Sequence, residues 1–219
     1  MSGLSFIPRP LLVVLVALFM LAGCNERRID TDLRAELLEM GRIDQEVRAR
    51  FVAALDLSDI QSSLETDEVQ RIRAEMASVD EKNQFRLDEM VSHYGWPSHE
   101  SVGMEAVSAA LLIIEHSTLA TKERYLLILR DAVVAGQAPP SLLAQLEDEV
   151  SVLTTGYQIY GTEISLETGV PVLVPIENVE ELDARRAAMG LPPMDEYLAE
   201  VDRAAVAEFG VEIDRSALQ

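Results

Sequence analysis

Cysteine is almost absent from this chain: Cys24 is the only one among 219 residues. One cysteine cannot form an internal disulfide, so the fold has to be stabilised by its packed core alone. Histidine is scarce too, and the three that occur are His93, His99 and His116. His93 and His99 stand on either side of Pro97, so they do not form an obvious pair of metal ligands. We therefore expect no cofactor and no metal site.

Basic residues are few compared with acidic ones. The chain has 18 lysines and arginines against 38 aspartates and glutamates, which gives a formal net charge of -20 at pH 7. Proteins that bind nucleic acid present basic patches to the phosphates, so nucleic acid is excluded as a partner. Known catalytic motifs are missing from the sequence as well, including H-E-x-x-H, G-x-S-x-G, G-x-G-x-x-G and the phosphate loop.

An apolar run, Leu11–Leu21, follows Arg9 near the start of the chain. A membrane span needs about 20 apolar residues, so this run is too short for one. Its basic start, apolar core and small final residues are typical of a bacterial export signal. The closing residues, Leu21-Ala22-Gly23-Cys24, resemble the lipobox of bacterial lipoproteins, in which the signal is cleaved before the cysteine and the cysteine is lipidated.

The lipobox resemblance implies where the protein resides. Residues 1–23 would be a lipoprotein signal peptide, and residues 24–30 a lipidated tether that anchors the domain in the cell envelope through acyl chains, such as palmitate, on Cys24. Asn25 differs from the aspartate that retains many lipoproteins at the inner membrane, which favours the outer membrane, facing the periplasm. We therefore expect the membrane as a partner through this lipid.

Apolar residues recur at steps of three and four along most of the mature chain, which predicts helices. One stripe runs from Leu33 to Phe51, and a second runs from Val69 to Met90 and ends before the Tyr94–Pro97 corner, since proline disfavours helix in the residue before it. Ala106–Ile114 is apolar on nearly every side, as expected for a central buried helix. Further stripes predict helices around residues 125–133, 140–153, 178–190 and 194–209.

The pattern then changes to short β-branched segments at Tyr157–Ile164 and Val170–Ile176, which predicts a small β-hairpin. Two prolines, Pro171 and Pro175, restrict the second strand to a sheet edge. The predicted fold is mainly α, a single helical domain of about six helices with one small β-hairpin over residues 31–210, followed by a tail at residues 211–219.

Five segments of the mature chain carry a resemblance to a known family. They are DQEVR at Asp44–Arg48, Asp80–Asn83 leading into YGWP, SVGMEAVSAALLIIEH ending at His116, GYQIYGT at Gly156–Thr162, and ELDARRAAMGLPPMDEY at Glu181–Tyr197. In this order they are similar to an uncharacterised bacterial family, a domain of unknown function found in secreted or lipid-anchored proteins. The resemblance covers roughly residues 34–200 and implies a domain but no activity.

The positions that match this family supply the candidate site residues. His116 is the candidate catalytic residue, and the candidates for ligand binding are Asp44, Gln45, Arg48, Trp96, Gln158, Tyr160 and Thr162. Two positions depart from the family pattern, since Glu149 and Glu163 stand where it usually has arginine and glutamine. A site for an anion would be altered by these two acids.

Several candidates also have a purely structural interpretation. His116 could be a buried histidine with both nitrogens hydrogen-bonded, or a base at the rim of a cleft. Asp44 and Arg48 are four residues apart, which predicts an ion pair within one helix. Gln158 and Tyr160 would share one face of a strand that is turned toward His116, and would form either a polar network or a ligand pocket.

Three other polar or aromatic residues are expected to be structural. Asp148 falls opposite an apolar stripe of its helix, which predicts a solvated side chain unless another element covers that face. Arg186 is expected to pair at the surface with Glu181 or Asp183. The indole of Trp96 is expected to fill the proline corner, because it can bury a large area.

Three functions agree with these patterns. The leading hypothesis is a lipid-anchored cell-envelope protein whose helical domain binds a protein partner or a small ligand near the membrane. The alternative is a hydrolase-like envelope enzyme that uses His116 with Gln158, Tyr160 and a carboxylate. The third is a purely structural envelope protein.

Overall fold

The computed structural model describes residues 30–56, 59–165 and 171–218. The predicted signal peptide, Cys24 and nearly all of the predicted tether lie outside the described residues. Contacts divide the described chain into two compact units, residues 30–138 and residues 139–218. None of the helices in the described ranges combines the length and the apolar character that a membrane crossing requires.

The first unit consists of six helices. They are α1 (Thr31–Ala53), α2 (Ile60–Leu64), α3 (Asp67–Tyr94), α4 (His99–Val102), α5 (Met104–Glu115) and α6 (Leu119–Val134). The longest three begin at side-chain caps, since Asp30, Thr66 and Thr118 each accept a hydrogen bond from a backbone N–H three residues on. α3 ends at Tyr94, and the φ of 76° at the following Gly95 is outside the helical range, so the predicted corner is confirmed.

Helix α5 is the centre of the first unit and packs against α1, α3 and α6. Ala106, Val107 and Ala110 are fully buried on it, which confirms the predicted central helix. Gly41 lets α1 approach α5 closely, because a Cβ at this position would lie 3.0 Å from the Cβ of Ala109. This close approach sets the separation between α1 and the end of α5, where the site residues lie.

The second unit contains three helices and a small sheet. The helices are α7 (Pro140–Thr155), α8 (Leu182–Ala188) and α9 (Met194–Phe209), and the strands are β1 (Ile164–Ser165) and β2 (Val172–Leu173). Single 3₁₀ turns occupy Val179–Glu181 and Ser216–Leu218. The apolar core of this unit consists of Leu173, Ile176, Leu182, Met194, Leu198, Ala205 and Ile213.

The hairpin is present but shorter than predicted. β1 and β2 pair antiparallel, with Ile164 opposite Leu173 and Ser165 opposite Val172. Residues 157–163 do not form a strand, and Gln158 makes one isolated parallel bridge to Ile176. The prediction that Gln158 and Tyr160 share a strand face is therefore wrong. The physical reason is a buried carboxylate that binds this backbone and curls it, described below.

The predicted fold class, mainly α with one small hairpin, is confirmed. The described residues hold nine α-helices rather than about six. Two of the extra helices, α2 and α4, have five and four residues, too few for an apolar period to be visible in the sequence.

Candidate functional site

Three helices bring candidate residues of the first unit together. Asp44 and Arg48 lie one turn apart on α1, Asp80 lies on α3, and His116 directly follows α5. Nδ1 of His116 lies 3.0 Å from Oδ1 of Asp44, although the two residues are 72 positions apart in the chain. Gln45 donates a hydrogen bond of 2.9 Å from Nε2 to the other oxygen of Asp44. We call these five residues the His116 cluster.

Arg48 ties the two carboxylates of the cluster to each other. Its Nη1 donates to Oδ1 of Asp44 at 2.7 Å, and its Nη2 donates to Oδ1 of Asp80 at 2.8 Å. The predicted ion pair between Asp44 and Arg48 is thus present, but it is buried. Because a guanidinium is planar and donates in fixed directions, it sets the relative positions of both carboxylates.

Burial differs within the cluster. The side chains of Asp44 and Arg48 are 1% and 8% exposed, whereas those of His116 and Asp80 are 18% and 28% exposed. Asp44 and Arg48 therefore form the buried part of the cluster. His116, Asp80 and Gln45 are partly exposed, so solvent or a ligand can reach them.

The hydrogen bonds assign the protonation of His116. Asp44 accepts bonds from Arg48, Gln45 and His116, as an ionised carboxylate does, so Nδ1 of His116 carries a proton. In a neutral imidazole, Nε2 then holds a lone pair. Among the residues that the structure describes, no hydrogen bond uses this Nε2. With His116 neutral, two carboxylates and one guanidinium leave the cluster a net charge of about -1.

Asp80 was not among the predicted site residues, although it begins one of the segments that resemble the family. Its oxygens, together with those of Asp44 and a ring nitrogen of His116, provide three ligand atoms within 4.8 Å of one another. These residues could hold a metal ion, which the sequence did not suggest because each comes from a different helix or helix end.

A second polar group lies further along α3. Asp88 accepts hydrogen bonds from the hydroxyl of Tyr125 at 2.6 Å, from Nε2 of Gln84 at 2.9 Å and from Arg124 at 2.9 Å. Tyr125 is fully buried. Burial, and next the bond to Asp88, raise the pKa of the Tyr125 phenol, so this hydroxyl stays protonated and acts as a donor.

In the second unit, Asp148 binds the backbone that was expected to be a strand. Its Oδ1 accepts from the N–H groups of Ile159 and Tyr160 at 2.6 and 2.8 Å, and its Oδ2 accepts from the N–H and the hydroxyl of Thr162. Asp148 is 0% exposed, so the prediction of a solvated side chain is wrong. Burial raises the pKa of the Asp148 carboxyl, and these four donors oppose that effect.

Gln158 holds the base of the hairpin together. Its amide donates to the carbonyls of Glu163 and Val174, at 3.1 and 2.7 Å, and accepts from the N–H of Glu163 at 2.7 Å. The residue is 0% exposed, and these bonds lie within the second unit. Tyr160 donates from its hydroxyl to Glu147 at 2.9 Å. A joint site of His116 with Gln158 and Tyr160 stays a prediction.

Arg186 is fully buried, so the prediction of a surface ion pair is wrong. Its guanidinium donates to the carbonyls of Pro192 and Tyr160, at 2.7 and 2.6 Å, and its Cζ lies 4.8 Å from the centre of the Tyr197 ring. Burial lowers the pKa of this guanidinium. In the first unit, Trp96 is buried at the corner after α3, as expected, and its Nε1 has no hydrogen-bond partner within the described ranges.

Comparison with known proteins identifies a family of unknown function. The sequence model of a family of unknown function, DUF6624, matches residues 31–208. The match includes the whole His116 cluster and Gln158, Tyr160 and Thr162, which agrees with the expected domain of unknown function. No curated protein and no solved structure matches the chain.

Proposed function

We infer the function of this chain from its own site, because the chain belongs to the DUF6624 family, whose function is unknown. We propose that it is a lipid-anchored protein of the bacterial cell envelope that binds a small polar ligand at the His116 cluster. The anchor is supported by the lipobox-like residues that end at Cys24, and the outer membrane, facing the periplasm, is the favoured location. The binding site is supported by one observation: the buried Asp44 holds the partly exposed His116 by Nδ1.

This observation defines the chemistry of the ligand. Nε2 of His116 offers a lone pair, and the exposed edge of Asp80 offers a carboxylate, so both outward groups accept hydrogen bonds. The net negative charge of the cluster favours a ligand with donors or a positive charge. The proposed ligand therefore presents hydroxyl, amide or ammonium groups to the site.

A protection experiment with diethyl pyrocarbonate, which acylates accessible unprotonated histidines, tests this proposal. We expect the reagent to modify His116 in the native protein, and a bound polyol, amide or amine to slow this modification. His93 and His99 are exposed and serve as internal controls whose modification should stay unchanged. A native protein in which His116 never reacts would contradict an accessible lone pair.

Hydrolysis is a second candidate function, favoured by the hydrogen bond between Asp44 and His116. A histidine oriented by a carboxylate can take a proton from water, and general-base catalysis of this kind contributes about 10²–10⁴-fold to a rate. On chromogenic esters and phosphoesters, His116→Ala should then lower turnover by at least about 100-fold, while His99→Ala should not. Equal turnover in both variants would leave only the binding function.

The anchor has its own test. If Cys24 carries the lipid, Cys24→Ala abolishes labelling by a fatty-acid analogue and releases exported protein from the membrane fraction. A variant that keeps both the label and the membrane association would contradict the lipoprotein assignment.

A further inference from the structure

The His116 cluster has a set of donor atoms that suits a metal ion. Asp44 and Asp80 each offer a carboxylate oxygen and His116 offers a ring nitrogen, and these three atoms lie within 4.8 Å of one another. We propose that a divalent cation binds among them. This inference rests on the proposed function, because it names the occupant of the same site.

Charge supports a cation at this position. Arg48 neutralises one of the two carboxylates, and the remaining negative charge is partly buried, since the Asp44 side chain is only 1% exposed. A buried charge without a counter-charge is costly, because water no longer solvates it. A divalent cation more than offsets this charge and takes the cluster from about -1 to about +1. A proton on His116 is its competitor, because both occupy a ring nitrogen.

Ligand type selects the class of cation. One imidazole nitrogen with two carboxylate oxygens suits Zn²⁺ or Mn²⁺, whereas Ca²⁺ takes six to eight oxygens. In a tetrahedral site with bonds of about 2.0–2.2 Å, any two ligand atoms lie about 3.3–3.6 Å apart. Atoms that lie within 4.8 Å of one another therefore have to close by up to about 1.5 Å around the ion. His116 and Asp80 are the partly exposed members that can make this movement.

The hydrogen bonds of Arg48 are compatible with a bound ion. A carboxylate has about four lone-pair positions, and in the described structure Arg48 uses Oδ1 of Asp80, leaving Oδ2 for a metal. Ligating carboxylates are usually held by outer hydrogen bonds, and Arg48 and Gln45 would supply them here. Three protein ligands also leave a coordination position open, to which water or a hydroxyl or amide oxygen of the polar ligand can bind.

The experiment uses the full-length protein, purified in detergent, stripped with EDTA and then titrated with ZnCl₂ or MnCl₂. Bound metal is measured by mass spectrometry of the elements, and folding by melting temperature and circular dichroism. We expect about one ion per chain and a higher melting temperature. His116→Ala and Asp80→Asn should each weaken binding at least tenfold, and the asparagine can still accept the bond from Arg48.

The double variant His93→Ala, His99→Ala is the matched control, because both side chains are exposed and lie outside the cluster. It should bind the ion as the wild type does. No bound ion in the wild type, binding that persists in both cluster variants, or binding lost in the control would each overturn the proposal. The protein could bind no ion while a polar probe still protects His116 in the EDTA-stripped sample. That result would contradict the cation proposal and support the ligand site. Ion binding without protection of His116 by any probe would support the cation and contradict the ligand site.

Discussion

Arg48 and Asp80 join α1 to α3 through a hydrogen bond of 2.8 Å between Nη2 and Oδ1. The same guanidinium holds the buried Asp44, so one side chain positions both carboxylates of the His116 cluster. Removing Arg48 would remove this link between the two helices and leave a buried negative charge without its nearest cation.

The first prediction follows from this arrangement. Arg48→Met should lower the free energy of unfolding by about 3–5 kcal/mol, the usual cost of removing one partner from a buried ion pair. Arg42→Met is the control on the same helix, because Arg42 pairs with the exposed Glu39 and Glu46 and should matter little. Urea unfolding measures the free energy of unfolding of both variants and of the wild type. Equal effects would mean that burial adds nothing to the Arg48 interaction.

The second prediction tests the link between Asp44 and His116. Asp44→Ala and His116→Ala should be coupled by about 0.5–3 kcal/mol in a double-mutant cycle, because both changes break the same hydrogen bond. Asp44→Ala with His99→Ala should be additive, since His99 lies outside the cluster. A cycle with His116 that is additive as well would show that the 3.0 Å contact contributes no interaction energy.

The third prediction concerns Asp148. Asp148→Ala orphans the three backbone N–H groups of Ile159, Tyr160 and Thr162. Each buried donor left without a partner costs about 1–3 kcal/mol, so the three together predict a loss of at least about 3 kcal/mol. Hydrogen exchange of these three amides should rise even where the protein stays folded. Glu200→Ala, an exposed site on α9, should change neither measurement.

The fourth prediction concerns alkaline pH. The chain has five tyrosines, and burial raises the pKa of two of them, Tyr125 and Tyr197, above the ordinary phenol value of about 10. Because the folded-state pKa is raised, this contribution to stability is complete below pH 10 and is lost as the pH rises through the folded value. In an absorbance titration of the native protein, Tyr125→Phe should therefore leave the amplitude unchanged.

Urea-unfolded protein supplies the control for that titration, since unfolding exposes the Tyr125 phenol to solvent. In the unfolded protein, Tyr125→Phe should reduce the absorbance change, because it removes one of the five phenols. A loss of native-state amplitude in Tyr125→Phe would show that its hydroxyl is not buried against Asp88.

Local spacing explains which parts of the fold and site were predictable. The stripe from Leu33 to Phe51 predicts α1, and the four-residue step from Asp44 to Arg48 predicts their ion pair, since both depend on neighbours within one helix. Asp80 and His116 join the cluster only through tertiary packing, and the 72-residue separation of His116 from Asp44 leaves no periodic signal.

The second unit shows how tertiary contacts override a local pattern. The β-branched alternation around Gln158 favours a strand. However, Asp148 on α7 accepts hydrogen bonds from the backbone N–H groups of Ile159, Tyr160 and Thr162, and the chain bends there. Asp148 lies off the apolar stripe of α7, so the sequence predicts that it is exposed. The opposite face of α7 is covered as well, because the backbone of residues 159–162 packs on it and buries Asp148. Burial of Arg186 has the same origin, because its partners are backbone carbonyls that carry no side-chain signature.

Gly41 has no side chain, and this lets α1 lie close enough to α5 for Asp44 to reach His116. A methyl group there would meet the methyl group of Ala109 at 3.0 Å, whereas carbon atoms prefer about 3.5–4.0 Å, so the helices would separate by roughly 0.5 Å or more. The same displacement one turn further along α1 would stretch the 3.0 Å contact between Asp44 and His116 toward the limit of a hydrogen bond. Gly41→Ala would thus weaken the link between Asp44 and His116 through geometry alone, with every polar group of the cluster still in place.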